Sequence, residues 1–373
     1  MKILHIYKDY YPVLGGIENH VRLLAEAQAG RGHDVTVLVA NVARQTSSET
    51  MNGVQVIKAG RWTTLASTPI SPAMFWQIGH LKADIAHLHF PHPPGEVANW
   101  LLHPARRTVI SYHSDVVRQA GLLRFYKPAL KRVLKHADAI IVGSPPMTSS
   151  PYLAEHQAKV QIIPYGILLD RFVTLPTAPE IKRVRERYPA ITTALPKLLF
   201  VGRLRYYKGL NVLIDALPDL QAQLLVVGIG PMLNEWQAQA QRCGVADRVA
   251  WLGEVPDADL PALYHLAQLF VLPGTHPSEA FGLVQVEAMA SGIPTVCTEL
   301  GTGTSWVTLG GQTGLVVPPR DPHALTTAIN QLLTDDQLRT QLGRAAQARA
   351  LAEFTVERMI DRVSAEYERL LHG

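Results

Sequence analysis

Hydrophobic residues in this chain gather in short runs, and stretches of helical periodicity separate many of them. Runs rich in β-branched and large aliphatic side chains stand at residues 3–7, 35–40, 54–58, 85–90, 109–113, 139–143 and 160–164. Helical patterns fill intervals such as 17–30 and 126–136. Beyond residue 196 the pattern starts again, with strand-like runs at 198–201, 224–228, 249–253, 269–272, 295–297 and 314–317. Near-continuous apolar runs are what strands buried on both faces require. Strands alternating with helices build βαβ units and parallel sheets. The chain is therefore α/β, and its two series predict two doubly wound, Rossmann-like domains. At 373 residues it exceeds one typical core. Pro176, Pro179, Pro189 and Pro196 cluster around the charged stretch 180–187, which places the boundary within 174–196. The expected division is 1–175, 176–353 and a terminal segment, 354–373, carrying a last helix near 356–371.

Composition narrows the class without naming a function. Hydrophobic residues at 47% and charged residues at 18% are ordinary for a globular enzyme. A net charge of +4 is too small an excess to argue for nucleic acid, and no nucleic-acid partner is expected. Cys243 and Cys297 do not make a disulfide framework, so a reducing cytoplasm is the expected setting. The opening MKILHIYKDYYP is too interrupted for a signal peptide, and no run reaches spanning length. Residues 118–136 combine Arg124, Lys127, Lys131, Arg132 and Lys135 with Leu122, Leu123, Phe125 and Leu130. Such a helix either lies on an anionic membrane surface or is a core helix with a solvated basic face. Both readings stand.

The chemistry-bearing residues follow strand-like runs. Gly15-Gly16 and Gly228-Ile229-Gly230-Pro231 each sit after a strand, where glycine lets the backbone approach a ligand and a helix N-terminus meets an anion. Neither supplies the three glycines and downstream acid of a dinucleotide site. Arg203 and Lys208, flanked by Gly202 and Gly209, suit a diphosphate: a guanidinium fork and a compact point charge. Glu279 and Glu287 stand eight residues apart, so one helix would offset them by ~80°. A loop Glu279 and a Glu287 one or two turns into a helix starting near 281 or 282 fits better. Glu287 has apolar neighbours and would need a partner there. His87, His89 and His92 are spaced for metal, but no cysteine or carboxylate accompanies them and no metal is expected. Asp257-Ala258-Asp259 reads as a helix cap. His113, at a strand end, has a structural reading as well as a catalytic one.

At these residues a resemblance enters. SEAFGLVQVEAMASG, residues 278–292, resembles the Glu-x7-Glu signature of the family four retaining glycosyltransferases, which have the GT-B fold. GRLRYYKG resembles that family's phosphate-binding turn, and GGIENHVRLLAEAQAGRGHDVTVLV, IIPYGILLDRF and TGLVVPPRDPHAL are similar in the right order. The resemblance implies two domains facing each other across a cleft, an N-terminal one for the acceptor and a C-terminal one for a nucleoside-diphosphate sugar, with the last helix crossing back. It implies that Arg203 and Lys208 neutralise the departing diphosphate, that Glu279 holds the transferred sugar and that Glu287 holds the ribose. Phe281, Gly282, Leu283 and Val284 would contact the donor through backbone amides. Gly15, Gly16, Gly230 and Val255 join the donor site, and His113 is placed near the sugar. LGTGTSWVTLGG departs from the commoner family pattern. With SYHSDVVRQ it resembles a subset of mannosyl- or related transferases of polysaccharide assembly, acting on a saccharide or lipid-linked acceptor. A nucleotide-sugar epimerase and a non-catalytic nucleotide-sugar-binding subunit remain as alternatives.

Overall fold

The computed structural model describes residues 1–13, 15–65, 68–115, 120–191 and 194–373, with the side chains of 120–125 outside the description. The chain divides into two units, Met1–Ile167 with Val356–Gly373, and Leu168–Thr355.

The first unit is built on an eight-stranded sheet. Its strands are β1 (Lys2–Ile6), β2 (Asp34–Ala40), β3 (Ser47–Met51), β4 (Val54–Ala59), β7 (Ala83–Phe90), β8 (Ala105–Tyr112), β9 (Ala139–Val142) and β10 (Val160–Ile162). Their order is β10-β9-β8-β7-β1-β2-β4-β3. The pairings are parallel except β3 against β4. A small antiparallel hairpin, β5 (Thr63–Leu65) and β6 (Thr68–Ile70), follows β4. Strand alternation gives the sheet two buried faces. On one, Ile3, Val37, Ile85 and Val109 meet α1 (Gly16–Gly30) and the last helix, α14 (Val356–His372). On the other, Leu4, Leu88, Ile110 and Ile140 meet α2 (Pro72–His80), α3 (Pro93–Leu102) and α4 (Ala120–His136). The last helix is held by more than apolar contact. Asp361 pairs with Arg31 at 2.6 Å, and the Leu370 carbonyl accepts from Arg107 Nε at 2.7 Å.

The second unit holds six parallel strands, β11 (Lys197–Val201), β12 (Gln223–Val227), β13 (Val249–Gly253), β14 (Leu269–Leu272), β15 (Thr295–Thr298) and β16 (Gly314–Val317). The order is β13-β12-β11-β14-β15-β16. Chain direction across the sheet reverses between β11 and β14, the switch point where ligands bind open α/β sheets. Helices α5 (Asp170–Val173), α6 (Ala178–Arg187) and α7 (Leu210–Ala216) precede α8 (Leu233–Arg242), α9 (Leu260–Leu266) and α10 (Leu283–Ala290). After these come α11 (Thr304–Val307), α12 (Pro322–Thr334) and α13 (Asp336–Glu353). Phe200, Val226, Val271 and Val296 form a core with Leu213 of α7, Trp236 of α8 and Ile329 of α12. No described helix is long and apolar enough to cross a membrane.

Candidate functional site

The predicted chemistry of the second unit converges on its switch point. β11 ends at Val201, and the chain turns through Gly202 into Arg203, which is exposed and has no ion-pair partner among the described residues. A single turn, Tyr206–Lys208, then leads through Gly209 into α7. Gly209 has φ +69°, and a Cβ there would lie 1.8 Å from the Pro273 carbonyl oxygen, so only glycine lets this loop meet the one after β14. The two loops are tied further by the Thr275 N–H donating to the Tyr207 carbonyl at 2.9 Å. Across that junction Lys208 Nζ stands 2.7 Å from Glu279 Oε2, with both side chains largely buried. The lysine ammonium holds this buried oxygen as an ion pair, and among the described residues no other hydrogen-bond donor meets it. Such a carboxylate retains its capacity to accept a hydroxyl.

Glu279 lies in the loop and α10 begins at Leu283, as the sequence spacing predicts. Gly282 precedes the helix at φ +76°. Among the described residues, the N–H groups of Gly282, Leu283 and Val284 make no backbone hydrogen bond, as expected of a helix start. Phe281 is buried against Trp306 and Phe354. Glu287 is in the second turn of α10. The partner it required is Tyr264 of α9, whose hydroxyl donates to Oε2 at 2.7 Å. Burial pushes the Glu287 carboxyl up to about 7, with the Tyr264 hydrogen bond and Arg171 acting against the rise. Buried Gln285 donates to the Phe281 and Thr304 carbonyls and accepts from Thr308, which fixes the turn before the helix.

Other expected members stand nearby with different roles. Gly230 packs against β11's exit: a Cβ there would lie 2.3 Å from the Leu204 carbonyl oxygen, so close backbone packing already requires glycine. Val255 is half-buried in the loop after β13. Asp259 corrects a sequence expectation. It precedes α9, yet its side chain makes no cap hydrogen bond. It is buried between Arg183, at 3.0 Å, and Arg187, both on α6, and the ion triad explains the acid better than capping does.

In the first unit Gly15 and Gly16 open α1, with Gly15 extended at φ −174° and open space where a Gly16 side chain would be. Leu14 lies outside the described residues. His113, just past β8, is buried, and both its nitrogens are engaged, Nε2 with His89 at 3.2 Å and Nδ1 with the Tyr165 hydroxyl at 2.8 Å. His87 contacts Tyr367 at 2.5 Å and Ser111 at 2.8 Å. His5, His20, His87, His89, His92 and His113 are all buried, and desolvation lowers the pKa of each. Nitrogens of His5, His87 and His89, and of His20, His89 and His113, lie within 4.8 Å of one another. Sequence spacing singled out His87 and His89; His5, His20, Gln28, Tyr165 and Tyr264 went unnoticed. The signal for the histidines was parity: positions 5, 87, 89, 111 and 113 share one face once β1, β7 and β8 are in register.

Helix α4 contains the basic stretch, although residues 118 and 119 and the side chains of Leu122, Leu123, Arg124 and Phe125 are outside the described residues. Leu130, Val133 and Leu134 are buried in the core, while Lys127, Lys131, Arg132 and Lys135 are exposed.

The chain is similar to known proteins over most of its length. Residues 14–171 match the family described as Glycosyltransferase Family 4, and residues 185–349 match Glycosyl transferases group 1. The chain is 36% identical to the D-rhamnosyltransferase WbpZ of Pseudomonas aeruginosa, over 95% of this chain and 92% of that protein. It is 33% identical to the O-antigen chain mannosyltransferase C of Escherichia coli, over the whole of both. In fold it is similar to Anabaena HepE, solved in complex with UDP-glucose, with a TM-score of 0.79 and 20% identity. That match covers 99% of this chain and 100% of the other.

Proposed function

Since this chain belongs to the GT-B glycosyltransferases, we infer that it moves a sugar of the mannose or glucose type from a nucleoside-diphosphate sugar to an acceptor hydroxyl, retaining the anomeric configuration. The observation that carries the donor half is the switch point of the second unit. There the Lys208–Glu279 pair and exposed Arg203 stand on adjoining loops beside the open N–H groups at the start of α10. Diphosphate oxygens would take Arg203 and Lys208, and the Glu279 carboxylate beside Lys208 would accept a sugar hydroxyl. Glu287, four residues into its helix and held by Tyr264, is the proposed ribose acceptor. The names of the two similar transferases support a mannose-type sugar and a place in polysaccharide or glycolipid assembly.

The reaction builds positive charge on the sugar and negative charge on the leaving diphosphate. Fixed cations and helix N–H groups aimed at the latter lower the barrier without reorganising. In the proposed step the acceptor oxygen bonds to the anomeric carbon on the face the phosphate leaves. The carbon–phosphate oxygen bond breaks, and the acceptor proton passes to the departing phosphate. No divalent ion is needed at the diphosphate on this reading, because Arg203, Lys208 and backbone amides meet its charge. We place the enzyme in the cytoplasm with a saccharide or lipid-linked acceptor, α4 presenting its lysines to the inner face of a membrane. The test is turnover: nucleoside-diphosphate mannose or glucose with a saccharide acceptor should give a product with the donor's anomeric configuration. Donor alone converted to a new nucleotide sugar would instead make the protein an epimerase, and binding without turnover a silent subunit.

A further inference from the structure

The buried imidazoles of the first unit form a connected row. Gln28 Oε1, on α1, meets His5 Nε2 at 2.7 Å; His5 Nδ1 meets His89 Nε2 at 3.1 Å. His89 Nδ1 meets His113 Nε2 at 3.2 Å, and His113 Nδ1 meets the Tyr165 hydroxyl at 2.8 Å. The row starts beneath β1 and β7, at that sheet's own switch point, and ends past β8. A neutral imidazole has one N–H and one bare nitrogen, so every ring must pass the direction on. An amide oxygen can only accept. With Gln28 Oε1 turned to His5, and Gln28 Nε2 left without a hydrogen-bond partner among the described residues, the His5 proton is assigned to Nε2, which leaves Nδ1 to accept from His89 Nε2–H. His89 Nδ1 in turn accepts from His113 Nε2–H, and Tyr165 donates its hydroxyl to His113 Nδ1.

The groups facing the row keep it uncharged. Among the described residues they are His20 from α1, His87 from β7, Tyr7 after β1 and Tyr367 from α14, and none of these is a carboxylate or a permanent cation. His20 lies edge-on to His89, His113 and Tyr165, and among the described residues neither of its nitrogens has a hydrogen-bond partner. Burial drives the His5 pKa to about 4 and that of His20 to about 3.

We propose that Gln28 is a positioning residue, whose amide fixes His5, His89 and His113 as a row of neutral Nε2–H tautomers ending on Tyr165 at the strand ends. The catalytic consequence rests on the glycosyltransferase reading: an uncharged row does not oppose positive charge developing on a sugar handled at that edge. The tautomers themselves do not depend on it.

Nitrogen-15 spectra of labelled histidine test the row directly. All three rings should be neutral Nε2–H forms from pH 5 to 8, and Nδ1–H forms or imidazolium in the native protein would overturn the proposal. Gln28→Glu supplies a charge that favours imidazolium at His5. The new His5 Nδ1–H then donates to His89 and reverses the row, so His89 and His113 should switch to Nδ1–H as pH falls. Transfer should fall on the order of tenfold or more with the same midpoint, as when a catalytic histidine is held in the wrong tautomer, while the native profile stays flat there. A switch without loss of transfer would refute the positioning role. Loss of all transfer in the native protein, with the tautomers as stated, would refute the glycosyltransferase reading alone. Gln28→Met, similar in shape but with no acceptor, should give mixed tautomers; an unchanged row in it would overturn the assignment even if Gln28→Glu fails to fold. Addition of equimolar Zn²⁺ should leave the signals in place. A one-to-one complex using His20, His89 and His113 would mean that the cluster is a metal site instead.

Discussion

Glu287→Gln should make the protein more stable at pH 8 and weaker at binding nucleotide, two effects with one cause. The folded chain raises this carboxyl from 4.5 to about 7. Below pH 4.5 both folded and unfolded states hold the proton and burial imposes no penalty. Between 4.5 and 7 the unfolded chain releases the proton while the folded one keeps it, so stability falls with rising pH; above 7 the loss is complete. A rise from 4.5 to about 7 corresponds to at most roughly 3.5 kcal/mol. Glu287 is half-buried, and solvent screening reduces this to roughly half. Glutamine removes that term and still accepts from Tyr264, at the loss of part of one hydrogen bond, about 1 kcal/mol. Against a loss of about 1 kcal/mol at pH 4, where only the hydrogen bond is affected, the net at pH 8 is thus a gain of about 0.5–1 kcal/mol. For a domain of this size that is a rise of roughly 1–4 °C in the melting temperature. Calorimetric scans of both proteins at pH 4 and pH 8 measure it, and titration with the nucleoside diphosphate should show a ten- to hundredfold weaker complex, the worth of a hydrogen bond to a charged acceptor. Equal destabilisation at both pH values, with unchanged nucleotide affinity, would refute the reasoning.

Arg203→Ala should leave the fold intact and lower turnover on the order of 10²-fold, read as kcat with saturating donor. Lys208→Met should cost as much activity and also lower the melting temperature, since it strands Glu279 beside no cation; Arg203→Ala, exposed, should not. Transfer should be unchanged by Mg²⁺, Mn²⁺ or EDTA, and activity that EDTA abolishes and Mg²⁺ restores would refute charge neutralisation by the protein alone. Flotation on anionic vesicles should fall in high salt and in Lys127→Glu/Lys131→Glu/Lys135→Glu, each lysine contributing about 1 kcal/mol at the surface; equal flotation would leave α4 as an ordinary core helix.

The parallel strands were legible because burial on both faces leaves an apolar run that little else produces, and each such run became a strand. β3 and the β5–β6 hairpin were not, because Ser47–Met51 is a polar edge and the hairpin strands are only three residues long. Cations after β11 and acids after β14 were legible as local punctuation at strand ends. Their pairing was not: whether Lys208 reaches Glu279 depends on β11 and β14 being neighbours, which spacing along the chain does not encode. Asp259 misled for a similar reason, since its local position suggests a cap while its partners lie on α6, more than seventy residues away. The histidine row shows the same limit, as the packing of α1 alone joins Gln28 to His5 and strand register alone joins His5 to His89.

Equilibrium binding of nucleoside diphosphates to the native protein and to Arg203→Ala/Lys208→Met tests the central claim most directly. The account predicts that one of GDP, UDP or ADP binds the native protein without added metal and that the double variant binds it at least 100-fold more weakly, while remaining folded by circular dichroism. Unchanged affinity in the folded double variant would place the diphosphate elsewhere and contradict the account.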